Sequence, residues 1–180
     1  MAENEDLGRI VGGCQAGDAE CFSELVDLYG GRCYGYFYRL TGNSELSDEL
    51  LSELFVKLVE KIRSYKGGSF EGWLFKIASN IFHDHLRGKQ RLKRLLDTRR
   101  KDIDSKVTEA KHSESDRGDR LQVHLAKLDE GTRELIMLRF YSQMSLKEIA
   151  KVRSEPLGTT LSRLHRGLKR LREMMGREGL

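Results

Sequence analysis

The chain contains a single proline, Pro156, among 180 residues. Almost everywhere else, apolar side chains recur every three or four residues, which is the spacing of an amphipathic helix. The alternation of apolar and polar residues that marks a half-buried strand is nearly missing. Because proline breaks helix interiors, a chain this poor in it can sustain long helices. The sequence therefore predicts an all-α fold.

The helical pattern occupies two stretches that a polar segment separates. Residues 97–120, "DTRRKDIDSKVTEAKHSESDRGDR", contain few apolar residues. A segment of this composition cannot bury enough apolar surface to fold alone. We therefore predict two small helical domains, at residues 1–96 and 121–180, joined by a flexible linker at 97–120.

Glycines and capping residues suggest helix boundaries in the N-terminal half. Asp18 is a good N-cap, and Gly30 and Gly31 are expected to stop the helix that it begins. By the same reasoning, the later helices in this half are expected to begin at polar capping residues and to end near glycines. In chain order, the predicted helices occupy 18–29, 32–42, 44–66 and 69–87.

The C-terminal half predicts a helix-turn-helix. A short helix after Ser145 is followed by a tight connection and a longer helix that begins near Pro156. Ser145 and Glu148 have the S-x-x-E spacing of a capping box, and proline suits the first turn of a helix. In this motif the second helix enters the DNA major groove.

Basic and hydroxyl residues follow one side of that second helix, and leucines (157, 161, 164, 168 and 171) follow another. Arginine can bond the major-groove edge of guanine with two hydrogen bonds, and threonine suits phosphate oxygens. A surface helix or a partner-binding helix is the alternative for these residues taken alone. The predicted DNA contacts are Thr159, Thr160, Ser162, Arg163, Arg166, Lys169 and Arg170.

Charge is distributed unevenly along the chain, whose formal net charge is +4. Residues 1–60 have an excess of Asp and Glu, whereas 85–101 and 156–177 are strongly basic. This asymmetry indicates a polyanionic partner at two places and a different partner at the acidic surface. Solvated helix faces are the alternative explanation.

Other classes of function find little support in the sequence. No nucleophile-base set or phosphate-binding glycine loop is visible, and Cys14, Cys21 and Cys33 contain no CxxC pair for zinc. His83 and His85 are two apart, so they do not share a helix face as metal ligands do. We expect no enzyme activity, cofactor, metal or small-molecule substrate. The absence of a long apolar run and of a signal-peptide pattern predicts a cytoplasmic protein without membrane insertion.

Two motifs together resemble a known family. The segments "LTGNSELSDELLSELFVKL" and "SFEGWLFKIASNIFHDHLR" lie in the first half, and "LDEGTRELIMLRFYSQMSLKEIAKVRSEPLGTTLSRLHRGLKRL" lies in the second. They resemble the two domains of extracytoplasmic-function (ECF) sigma factors of the sigma-70 family, over residues 10–92 and 121–173. Thr160 and Leu161 depart from the family pattern, which usually has an aliphatic residue and then Lys or Arg.

The resemblance implies binding to core RNA polymerase and to promoter DNA, with an anti-sigma factor as a further partner that the family allows. The acidic third helix would dock on the polymerase, although packing inside the domain is an alternative for Leu50 and Phe55. The residues implied in polymerase binding are Asp48, Glu49, Leu50, Glu53 and Phe55.

The resemblance also implies that the fourth helix and the loop before it, residues 64–72, recognise and melt the minus-ten promoter element. A flipped base would enter a pocket formed by that loop and Asn80. Trp73 could stack on a base, with a core role as the alternative. The residues implied are Lys66, Ser69, Phe70, Trp73, Lys76, Asn80, His83 and Arg87.

Two other functions compete with a sigma factor. A free-standing helix-turn-helix regulator would bind duplex DNA by itself, without replacing sigma. A helical adaptor would bind proteins and not DNA. The two-domain layout without an evident dimer seam argues against the first, and the basic surface around Arg163 and Arg166 argues against the second.

Overall fold

The computed structural model describes residues 2–100 and 120–176, and every regular element in those two ranges is helical. The predicted all-α class is confirmed. Residues 101–119, most of the predicted linker, lie outside the described part. In chain order the helices are α1 (Ala2–Ala16), α2 (Ala19–Thr41), α3 (Ser44–Lys61), a 3-10 turn (Ile62–Ser64), α4 (Phe70–Arg100), α5 (Arg120–Ala126), α6 (Glu130–Tyr141), α7 (Leu146–Val152) and α8 (Leu157–Gly176).

Local capping explains where several helices begin. The Asp18 carboxylate accepts hydrogen bonds from the backbone N–H groups of Glu20 and Cys21. Asn43 caps α3, and Ser145 forms the predicted capping box with Glu148. Each cap satisfies backbone donors that have no partner inside the helix. These predicted starts are therefore confirmed.

Two predicted helix ends are wrong. Helix α2 continues through Gly30 and Gly31 for 23 residues and ends at Gly42, whose φ is 65°. Helix α4 likewise passes Gly88 and reaches Arg100. A glycine inside a helix costs about 1 kcal/mol. In α2, burial of the face that includes Leu25 and Phe37 outweighs this cost.

Helix α1 was not predicted, and its packing explains why it forms. Ile10, Val11 and Cys14 are buried against the other N-terminal helices. The apolar residues of α1 are few and are interrupted by Gly8 and Gly12, so the sequence alone gives a weak periodic signal. Tertiary contact with α2 supplies the stabilisation that the isolated segment lacks.

The C-terminal helices pack closely around one glycine. Gly167 is buried where α8 crosses α6. A Cβ atom at that position would lie 2.4 Å from Cγ2 of Thr132 and 3.2 Å from Cδ1 of Ile136. Helix α8 can approach α6 this closely only because residue 167 has no side chain. This packing fixes the position of the recognition helix.

The two domains contact each other chiefly through α2 and α6. The Arg133 guanidinium on α6 donates to the backbone oxygen of Leu40 on α2 at 2.8 Å. In return, Arg32 on α2 donates to the backbone oxygen of Tyr141 at 2.7 Å. Both arginines satisfy carbonyl groups at the end of the partner helix, so the contact is polar as well as apolar.

Candidate nucleic-acid and polymerase interface

The outer face of α8 carries most of the predicted upstream contacts. Exposed polar and basic side chains follow it from Thr159 to Arg170, while Leu164 and Gly167 face the domain core. Helical spacing gathers these side chains on one solvent-facing side. The exposed predicted contacts are Thr159, Ser162, Arg166, Lys169 and Arg170.

Three predictions on α8 differ from the structure. Thr160 is fully buried and its hydroxyl donates to the backbone oxygen of Pro156, so it can shape the start of the helix without touching DNA. Leu157 and Leu161, which were predicted to pack on the domain, are exposed. Helix α8 begins at Leu157, one residue after Pro156.

Arg163 is held in place by a chain of opposite charges. Its guanidinium donates to Oε1 of Glu155 at 2.7 Å, and Arg153 donates to the same oxygen at 3.1 Å. Arg153 also pairs with Glu134 on α6. Arg163 is therefore oriented by the turn of the helix-turn-helix, whereas Arg166 makes only a long hydrogen bond to the backbone oxygen of Ser162.

Helix α4 and the preceding loop present the second basic surface. Lys76 and Asn80 point to solvent on the same side of the helix, and Arg87 lies about two turns further along. Trp73 is half-buried, with its ring centroid 5.3 Å from that of Tyr65. The exposed members of the predicted minus-ten set are Lys66, Ser69, Lys76, Asn80, His83 and Arg87.

Phe70 does not belong to that exposed surface. Only 2% of it is exposed, and its ring packs against Tyr29, Tyr65 and Trp73. Aromatic pairs at these centroid distances of 5.4–5.7 Å stabilise a core. Phe70 therefore packs in the core next to the loop and does not reach solvent.

The loop beside α4 borders a cleft. The cleft has a volume of about 650 Å³ and lies between α1 and residues 65–71. Gly67 and Gly68 have φ angles of +95° and +97°, a region that side chains other than glycine rarely adopt. A Ser69 hydroxyl that accepts from the N–H of Gly72 begins α4. The loop before α4 is therefore a tight turn that requires glycine at positions 67 and 68, and it forms one wall of the cleft.

Helix α3 presents an acidic surface that also contains apolar residues. Asp48, Glu49 and Glu53 are exposed as predicted, whereas Leu50 is buried and Phe55 is half-buried. Leu50 therefore packs inside the domain, which was the alternative for it.

Two valines on α3 were missed by the sequence analysis. Val56 and Val59 are 58% and 56% exposed and lie one turn apart, next to Glu53. They fall outside the Leu50–Leu54–Leu58 stripe of the core, and that offset was the signal that could have revealed them. Exposed apolar side chains with a carboxylate rim suit a partner that is apolar and basic.

A buried carboxylate joins the two domains. Glu134 on α6 is 1% exposed, and its Oε1 accepts a hydrogen bond from the Ser79 hydroxyl at 2.6 Å. The same oxygen lies 3.0 Å from Nε2 of His83, and Arg153 pairs with the other oxygen. Ser79 and His83 belong to α4, so His83, a predicted DNA contact, is engaged by the C-terminal domain in this arrangement.

The pKa values of this group respond to that contact. The hydrogen bond to Glu134 raises the pKa of His83, although partial burial opposes the increase. Burial would raise the pKa of Glu134, but hydrogen bonds from His83 and Ser79 and the charge of Arg153 outweigh it and lower that pKa. The arrangement thus favours a protonated His83 beside an ionised Glu134.

The described ranges contain neither a cluster of metal-ligating side chains nor a membrane-spanning helix. No group of three or more His, Cys, Asp or Glu side chains there could hold a metal ion. None of the helices in residues 2–100 and 120–176 is long and apolar enough to span a membrane.

Comparison with known families matches both domains. The family described as Sigma-70 region 2 matches residues 25–92, and the family described as Sigma-70, region 4 matches residues 124–173. The first match contains α3, the loop after it and α4 as far as residue 92. The second contains α6, α7 and nearly all of α8. Each candidate surface therefore lies within a matched region.

Comparison with solved structures supports the same fold. The sigma factor RpoE of Bartonella quintana, solved with the anti-sigma factor NepR, superposes with a TM-score of 0.68 at 24% identity, covering 86% of this chain and 96% of that one. CnrH, solved with the cytosolic domain of CnrY, gives a TM-score of 0.67 at 20% identity, covering 94% of this chain and 97% of that one.

Curated relatives carry the family name. The chain is 32% identical to the ECF RNA polymerase sigma factor SigE of Mycolicibacterium smegmatis over 161 residues, which are 87% of this chain and 62% of that protein. It is 29% identical to the ECF RNA polymerase sigma factor SigW of Bacillus subtilis, covering 88% of this chain and 91% of that protein. The chain belongs to the ECF sigma factors of the sigma-70 family.

Proposed function

We propose that this chain binds core RNA polymerase and directs it to promoters with two separated elements. The main support for this proposal is that two exposed basic surfaces, on α4 and on α8, lie in separate domains that match regions 2 and 4. A sigma factor supplies no catalytic group, because the polymerase performs the chemistry. The role of the chain is to position the enzyme and to open the duplex.

Helix α3 is the proposed polymerase-binding surface. Its exposed carboxylates, Asp48, Glu49 and Glu53, would speed association with a basic helical partner. Val56 and Val59 would provide the apolar contact that such an interface buries at its centre. Phe55 is half-buried and would contribute from the edge of the same surface.

Helix α8 is the proposed reader of the upstream element. Arg166 and Arg170 are exposed on its outer face, and arginine suits the major-groove edge of guanine. Arg163 is anchored to Glu155, which restricts its freedom before DNA arrives. Thr159 and Ser162 near the first turn of the helix would bond phosphate oxygens and set its register.

Helix α4 and the loop at 64–72 are proposed to read and open the minus-ten element. Lys76 and Arg87 would hold phosphates, and the amide of Asn80 can bond the Watson–Crick edge of an unpaired base. His83 would join these contacts only after it leaves Glu134. The packed domains of the free chain therefore oppose DNA binding until the polymerase fixes the spacing of the two domains.

The proposed setting and partners follow from this role. The protein would act in the cytoplasm, with promoter DNA and core polymerase as its partners. The solved structures of RpoE with NepR and of CnrH with CnrY support an anti-sigma factor as a further partner of this chain. A free-standing helix-turn-helix regulator is not favoured, because it would leave the domain that matches Sigma-70 region 2 without a role.

Selection from random DNA tests the proposal. Core polymerase reconstituted with the full chain is expected to enrich two sequence elements at one fixed spacing, since each small domain contributes few contacts alone. The free chain should enrich neither element strongly. If the free chain selected one duplex site as well as the polymerase complex does, the free-standing regulator would replace this proposal. High salt should weaken the selection because phosphate contacts are screened.

A further inference from the structure

Gln15 joins α1 to the loop that precedes α4. Its side-chain amide nitrogen donates to the backbone oxygen of Ile62 at 3.1 Å and to that of Tyr65 at 2.9 Å. An amide group has two N–H donors, so these two bonds use both of them. Gln15 is half-buried, and its partners lie 47 and 50 residues away in the sequence. The contact thus fixes the chain at the start of the loop.

Tyr65 fixes the other side of the same loop. Its hydroxyl donates to the backbone oxygen of Gly68 at 2.8 Å. Its ring packs edge-on against Phe70 with the ring centroids 5.4 Å apart. The loop is therefore held at Tyr65 by Gln15 and at Gly68 by Tyr65, which leaves Lys66 and Gly67 exposed between the two anchors.

The anchored loop and α1 form opposite walls of the cleft described above. Gly12 lines the α1 wall, one helical turn before Gln15. A Cβ atom at Gly12 would meet no atom within 4 Å, so space is open on that side. The volume of about 650 Å³ lies in the range of cavities that hold small organic groups.

We infer that Gln15 is a positioning residue for minus-ten recognition, because its two hydrogen bonds hold the loop in the shape that encloses an unpaired base. This inference rests on the proposed function. A loop that is already ordered binds without the entropy cost of ordering it, so its anchors affect affinity and base preference without touching DNA. Gln15 would act in this way through Tyr65 and Gly68.

Replacing Gln15 by Glu tests the inference with almost no change in shape. A carboxylate has no N–H donor, and it repels the carbonyl oxygens of Ile62 and Tyr65. Polymerase carrying the variant would be given promoter DNA with a randomised minus-ten region. We expect its base preference there to fall about tenfold, the size expected from loss of two hydrogen bonds. Upstream-element preference and co-elution with core polymerase should stay unchanged.

Matched variants separate this role from general damage. Gln143→Glu makes the same charge change on an exposed residue outside both proposed DNA-binding helices and should keep the wild-type preference. Gln15→Lys can still donate to both carbonyl oxygens and should retain most of the wild-type minus-ten base preference.

Three results would overturn the inference. The first is a wild-type minus-ten preference in Gln15→Glu, and this would leave the proposed function standing. The second is an equal loss at both promoter elements and in polymerase binding, which would indicate a merely structural residue. The third is a wild-type complex that selects no minus-ten element, in which case the proposed function fails and the inference fails with it.

Discussion

Replacing Arg163 and Arg166 together by alanine is expected to reduce promoter-directed transcription by about 100-fold, since each arginine that contacts a base contributes about 1–3 kcal/mol. Both residues lie on the helix proposed to read the upstream element. Run-off transcription from a selected promoter measures the effect. Of the two single variants, Arg166→Ala should show the larger loss in salt-dependent binding, because Arg163 is already paired with Glu155.

A charge-matched control distinguishes DNA recognition from nonspecific electrostatics. The double variant Lys127→Ala with Arg172→Ala also removes two positive charges from exposed positions in the C-terminal domain. Its output should stay within about twofold of the wild type, since surface substitutions away from a site have small effects. Equal losses in the two double variants would contradict a specific role for Arg163 and Arg166. Unchanged output in the Arg163 and Arg166 variant would do so as well.

The packed arrangement of the two domains is expected to weaken as pH rises. The hydrogen bond to Glu134 raises the pKa of His83, so the contact is at full strength below the ordinary histidine pKa of about 6.5. It is lost as pH rises through the higher pKa that His83 has in the packed form. Arg153 from the end of α7 and Arg87 from α4 oppose this increase, while Glu134 on α6 causes it.

Energy transfer between labels on the two domains would report this change as pH is raised from just below the ordinary histidine pKa of about 6.5. We expect the mean distance to increase with pH in the wild type. His83→Gln, which keeps an N–H donor but cannot titrate, should remove most of that dependence. His85→Gln on the same helix is the control. A dependence that persists in His83→Gln would contradict the role of His83.

Acid should also weaken the contact between His83 and Glu134, in this case by protonating Glu134. The pKa of Glu134 is lowered in the packed form, so its contribution is present above the ordinary glutamate value of about 4.3 and is lost as pH falls below it. Maximum packing is therefore expected between these two titrations. Ser79→Ala should weaken the contact at every pH, because the hydrogen bond from the Ser79 hydroxyl does not depend on protonation near neutrality.

The features that sequence reasoning predicted are the local ones. The caps at Asp18, Asn43 and Ser145 depend on residues two or three positions away, so their chemistry can be read directly from the chain. The exposed basic residues of α8 follow from helical spacing in the same way. The polar composition of residues 97–120 predicted two domains, and the matches to region 2 and region 4 fall on either side of that segment.

The features that sequence reasoning missed depend on distant contacts. Gly30 resembles a helix end, but packing of the surrounding helix α2 overrides its low helix propensity. Glu134 lies 55 residues from Ser79, and Gln15 lies 47 residues from Ile62. Only the folded chain shows that these polar side chains meet at the domain contact and beside the loop.

The most direct test of the central claim is co-elution of the full chain with sigma-free core RNA polymerase on a sizing column. We predict co-elution that excess housekeeping sigma competes away. Val56→Lys on the proposed polymerase surface should weaken it about tenfold or more, as expected for a central apolar contact. Val26→Lys, at an exposed position of α2, should leave co-elution with core polymerase unchanged. A folded wild-type chain that does not co-elute with core polymerase would contradict the account.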